Sequence, residues 1–200
     1  MENSLKIFDQ TYLDEYASEY NICSHERDTF SELLMAVKAG DELKLNWFAQ
    51  FGEDIRQILM NSYAYRKGLV FGFGEICFDE YGWLKRPVFL DQKETELGRL
   101  DKTRWGNHST ITVGRGPNGV WCYGFSISWG TAGSCSGLSV YNKSFSSKQV
   151  AFDTALIFLK ERMEEKLGDV DGGNYNQKII KATLKDIDKY RVAQVQLSLF

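Results

Sequence analysis

The chain has 200 residues, 43% of them hydrophobic, with 24 basic and 27 acidic side chains and a formal net charge of −3. This length suits one domain, or one domain with an appendage, and supplies enough apolar content for a sizeable core. So small a net charge means that bulk electrostatics does not force a nucleic-acid partner, and no apolar run approaches membrane-spanning length.

The charge is unevenly placed. Residues 1–32 carry eight acids against Lys6 and Arg27, whereas 85–115 carry seven bases against four acids, which predicts acidic and basic surfaces on different parts of the molecule. Acids stand where a signal peptide would have its basic region, so the chain is expected in the cytosol, with no membrane partner. Cys23, Cys77, Cys122 and Cys135 form no CxxC pair, and only His25 and His108 could join them. No metal site and no cofactor are expected, and reduced, mostly buried thiols are.

In chain order, Phe8, Tyr12, Tyr16 and Tyr20 recur every four residues and line one face of a helix. Thr29 and Glu32 read as a capping box opening a helix over about 30–39, with Gly40 as its stop. Leu43, Leu45 and Trp47 alternate as in a strand. Residues 53–67 read as a second helix, with Ile55, Ile58, Leu59 and Tyr63 inward. From Leu69 the period changes: 69–78 and 83–90 read as strands, the second at a sheet edge or bulged because of Pro87, and the charged stretch 91–108 as a loop. Residues 109–113 and 120–129 make a hairpin through Asn118-Gly119. In its second strand Trp121, Tyr123, Phe125, Ile127 and Trp129 share one face, opposite Cys122, Gly124, Ser126 and Ser128.

A Gly/Ser-rich connection, 130–137, leads to a short strand at 138–141. Ser146 and Gln149 cap a helix closing at Gly168, and a last helix carries Ile179, Ile180, Leu184 and Ile187. The fold class is therefore α+β: an antiparallel sheet of about five strands with helices on one face, a helical N-terminal segment and a C-terminal helix. Residues 1–68 form the helical N-terminal part. Residues 69–167 form the sheet-plus-helix core, one domain with it, and 168–200 hold a linker, the last helix and a tail. At the level of fold, 109–167 resembles an arrangement used by several small RNA-binding and antitoxin proteins, which carries little functional weight.

Chemistry is sparse. Gly72-Phe-Gly74 and Gly114-Arg-Gly116 lack the glycine spacing and helix start of a phosphate loop. No spacing converges the carboxylates on a metal. His108 with Cys122 or Cys135 would make a nucleophile–base pair only if the fold joins them, and a polar hairpin histidine is the simpler reading. Arg99, Lys102, Arg104 and Trp105, with Arg115, Lys143 and Lys148, mix bases with an aromatic as nucleic-acid surfaces do. The last two flank a loop of bare backbone N–H groups that could hold an anion.

The final stretch is the most specific. Gln196-Leu197-Ser198-Leu199-Phe200 places large apolar side chains at a terminus, where little is available to cover them. It resembles the pentapeptide by which bacterial proteins bind the replicative sliding clamp, the beta subunit of DNA polymerase III, commonly Gln-Leu-Ser/Asp-Leu-Phe. The resemblance implies that Gln196 enters a small polar site and that Leu197, Leu199 and Phe200 fill an apolar cleft. Residues from about Ala193 onward are then expected to extend away from the domain or lie loosely on it; the alternative is a terminal strand over 195–200 whose apolar residues pack on the domain. The implied function is that of a non-enzymatic accessory protein of DNA replication or repair, bacterial or from a phage or mobile element. The alternatives are a small module binding DNA or RNA weakly, without clamp binding, and an enzyme whose site the sequence does not display.

Overall fold

A computed structural model of the chain describes residues 9–20, 22–101, 107–169 and 173–197. It divides between Pro87 and Val88 into two compact units.

The first unit is built on helices α1 (Gln10–Glu19), α2 (Ser24–Ala39), α3 (Glu42–Phe48) and α4 (Ile55–Val70). Asp9, Asp41 and Asp54 cap α1, α3 and α4, each accepting a backbone N–H of the first turn. Leu13, Leu33, Phe48, Ile55, Ile58 and Leu59 form the core. Beside it Glu32 of α2 accepts from Arg66 of α4 and pairs with Lys44 of α3 at 3.0 Å. The Arg66 guanidinium lies 4.5 Å from the Trp47 ring centre, so one cation joins three helices.

The second unit is a meander of four antiparallel strands in the order β1 (Leu90–Leu97), β2 (Ser109–Arg115), β3 (Trp121–Ser128) and β4 (Gly133–Ser136). Helices α5 (Lys148–Glu164) and α6 (Gln177–Leu197) share one core with Leu97, Ile111, Val113 and Ile127 of the sheet. Trp121, Tyr123, Phe125 and Trp129 pack on that core, so the large face of β3 points inward. The small face is also covered. A Cβ at Gly124 would lie 2.7 Å from the Ser136 carbonyl oxygen, and one at Gly114 would lie 2.7 Å from Leu138. The Asn142 amide holds the wrapping segment down by donating to the carbonyls of Tyr123 and Gly137.

The α+β class and the hairpin stand, but the sheet has four strands where about five are expected, and several assignments move. Residues 43–47 are helical, because Asp41 caps a helix there. The Thr29–Glu32 capping box lies inside α2, whose actual box is Cys23 with Glu26. Residues 69–78 and 83–90 are not strands. α4 runs on to Val70, and only a Phe78–Leu84 bridge forms. Buried Asn61 ties the segment after the turn to the helices, donating to the carbonyls of Phe51 and Gly82 and accepting from the Leu84 N–H. The stretch read as a charged loop contains β1, an edge strand with an irregularity between Leu90 and Lys93. The Gly/Ser-rich connection contains β4, while 138–141, read as a strand, is a turn. The N-cap of α5 is Ser147, not Ser146.

Three outcomes are expected. Gly98 has φ +74°, and a Cβ there would fall 2.0 Å from Thr183 Oγ1 and 2.8 Å from the Thr183 nitrogen, so Gly98→Ala should destabilise the second unit by about 2–4 kcal/mol. Gly119 has φ +86° with open space around it, and Gly119→Ala should cost only about 1 kcal/mol in chemical denaturation. Hydrogen bonding from Arg66 holds Glu32 below its ordinary pKa of 4.5, against partial burial, which raises it. Its contribution is therefore complete above about pH 4.5 and is lost as pH falls through the depressed value. Discounted for exposure, it is worth about 0.5–1 kcal/mol. Glu32→Gln should flatten the acid limb of the first unit's stability curve by that amount.

Candidate functional site

Helix α6 buries Ile179, Ile180, Thr183 and Ile187, and its later described side chains, Tyr190, Arg191 and Val192, are exposed. The helix nevertheless continues through Leu197, about 15 Å beyond Ile187. Gln196 and Leu197 of the pentapeptide therefore have helical backbone; Ser198, Leu199 and Phe200 lie outside the described residues. A strand beginning at Val195 is not found, since the backbone is helical through Leu197. The reason is local: 192–197 contains no glycine or proline, and alanine, glutamine and leucine favour helix.

The basic residues fall at two ends of the sheet. Arg115 pairs in register with Trp121, and Trp121 bridges to Phe145. Lys148 Nζ lies 5.5 Å from the Trp121 ring centre and Lys143 Nζ 5.6 Å from that of Phe145. The fold thus gathers Arg115, Lys143 and Lys148 around two rings, although Arg115 is held by Asp91. Arg99 stands just past the other end of β1, beyond Leu97, whose partner is Ser109. It makes two 2.6 Å hydrogen bonds to Glu96 and lies 3.0 Å from His108 Nε2. Seven residues of strand, roughly 20 Å, separate the two ends. Lys102, Arg104 and Trp105 lie outside the described residues. The signal for the Trp121 and Phe145 platforms was not in the sequence, since the bridge joining them spans the whole β3–α5 connection.

The pairing of His108 with Cys122 loses its geometry. Cys122 pairs in register with Gly114, at the far end of the hairpin from His108. Burial pushes its thiol up to about 11, against a smaller lowering by the Ser139 backbone. A protonated thiol is a poor nucleophile near neutral pH. All four cysteines are free, but only Cys122 is buried; Cys135 is exposed on β4, so mostly buried thiols is a wrong expectation. β4 is an edge strand exposed at all four positions, which leaves Cys135 open to solvent. Among the described residues no group of three or more His, Cys, Asp or Glu side chains converges, and no helix is long and apolar enough to cross a membrane.

Comparison of the chain with protein-family models, with curated proteins and with solved structures finds no match.

The thiol environments predict an order of reactivity. With a disulfide reagent at neutral pH, one fast phase should belong to Cys135 and vanish in Cys135→Ser. Cys122 should react only on unfolding. A fast phase that survives Cys135→Ser and disappears in Cys122→Ser would show that the small face of β3 is open.

Proposed function

We propose that the chain is an accessory protein of bacterial DNA replication or repair, of bacterial, phage or mobile-element origin, recruited to the sliding clamp through Gln196, Leu197, Ser198, Leu199 and Phe200. The observation that carries this reading is the pentapeptide itself, which matches the clamp-binding pattern at each position. Its place supports the reading, because the helix leading to it buries no described side chain after Ile187.

A second reading, a small module binding DNA or RNA weakly, is favoured by Lys143 and Lys148 beside Trp121 and Phe145. Two exposed lysines supply little affinity, and any such binding should fade as salt is raised. Deleting 196–200 separates the readings: it abolishes clamp binding in the first and leaves nucleic-acid affinity intact in the second.

Clamp affinity should be roughly micromolar, about −8 kcal/mol, since ordering the segment consumes part of the contact energy. In calorimetric titrations against a bacterial clamp, Leu199→Ala and Phe200→Ala should each weaken binding by about 1.5–3 kcal/mol. Gln196→Ala should weaken it by leaving a polar site unpaired. Ser198→Ala should matter least. None should lower the melting temperature, and a variant that destabilises the fold would mark its residue as core and remove the basis for the proposal.

A further inference from the structure

Beside α6 runs an open groove of about 700 Å³, lined by Leu167, Lys181, Leu184, Lys185, Asp188, Lys189 and Val192. Its apolar part is unusually available: Leu167 and Val192 are 46% and 58% exposed, and Leu184 is half-buried against the core between them. Lys181, Lys185 and Lys189 recur every four residues and so make a positive rim along one side of α6. The single acid in the lining, Asp188, is approached by Lys160 at 3.5 Å, and Lys189 is bonded to Asp186 at 2.7 Å. Lys181 and Lys185 have no salt bridge among the described residues.

We propose that this groove docks an acidic amphipathic helical segment of another protein. The groove spans residues 181–192, about 16 Å of helix, which matches three turns of a partner helix. A partner with leucine-like residues at i, i+4 and i+7 would cover Leu184, Leu167 and Val192, as amphipathic helices do in apolar grooves. Carboxylates flanking that stripe would meet the lysine rim, and this charge match would set orientation and speed encounter. Other occupants fit less well. A second copy packing α6 on α6 would set lysine against lysine. A nucleic-acid backbone would satisfy the rim but leave the apolar floor uncovered, and phosphate contacts do not reward apolar surface. The proposal stands apart from the clamp reading, because none of these residues belongs to the pentapeptide.

The test is fluorescence anisotropy on the full chain with three labelled probes. One is a three-turn amphipathic peptide with a leucine stripe flanked by glutamates. The second has the same leucines flanked by lysines, and the third is a short DNA duplex. The acidic peptide should bind saturably and weaken as salt is raised, and the lysine peptide should bind at least about tenfold more weakly. Val192→Glu, at an exposed position, should reduce acidic-peptide affinity by about tenfold or more. The double change Lys181→Glu with Lys185→Glu should do the same and reverse the preference between the peptides. Because the rim lysines are exposed, this pair carries the test should Val192→Glu fail to fold. Leu199→Ala with Phe200→Ala should leave groove binding unchanged, so that failure of the clamp reading and failure of this one are told apart. Equal affinity for both peptides, absence of saturable binding to the acidic one, or duplex binding lost in the lysine reversal without any peptide binding would each overturn the proposal.

Discussion

One backbone bend holds α6 to the sheet. Where β1 ends, Gly98 turns with positive φ and its N–H donates to the Asp186 carboxylate at 2.9 Å, across 88 residues of sequence. The bend approaches α6 so closely that Thr183, itself fully buried and bonded to the Ile179 carbonyl, occupies the space where any side chain at 98 would stand. Burial alone would raise the pKa of Asp186. The Lys189 hydrogen bond and the Gly98 N–H together outweigh it and hold the carboxyl below its ordinary range. A charged acceptor of this kind makes one of the stronger hydrogen bonds available to a backbone N–H. The groove borders α6, so it depends on this junction for its position.

The sheet of the second unit is covered on both faces by different means. Helices fill one side with aliphatic and aromatic side chains, whereas on the other the chain itself folds across Gly114 and Gly124. Small residues on that face are thus a packing requirement, met by backbone and a leucine instead of a helix. This leaves function to the periphery: the two ends of the sheet, the β4 edge and the outer side of α6.

Charge divides along the same lines as the fold. Residues 1–87 hold 15 of the 27 acids and 9 of the 24 bases, whereas 88–200 hold 12 acids and 15 bases. Much of the basic excess is local to α6, where Lys178, Lys181, Lys185, Lys189 and Arg191 face only Asp186 and Asp188. An almost neutral total therefore hides one strongly basic helix, and that helix borders the groove proposed for a partner. In the first unit the cation is spent internally, with Arg66 satisfied by a carboxylate and an aromatic face at once.

Elements with a local signal were legible from the sequence alone: the Asn118-Gly119 hairpin, the inward face of β3, and the helices α4, α5 and α6. Those signals are periodicity, caps and turn residues, which act within a few positions. Tertiary structure decided what local signals cannot carry. β1 and β4 are edge strands whose residues are almost all exposed, so no alternation marks them, and only pairing with β2 and β3 makes them strands. The apolar run at 69–78 makes no strand, since α4 takes its first two residues and a single Phe78–Leu84 bridge joins it to the segment beyond the turn. The lysines of α6 could be read as one polar side of a helix. That they border a groove depends on Leu167, which lies beyond the end of α5 and reaches them only when the two helices close on the same sheet.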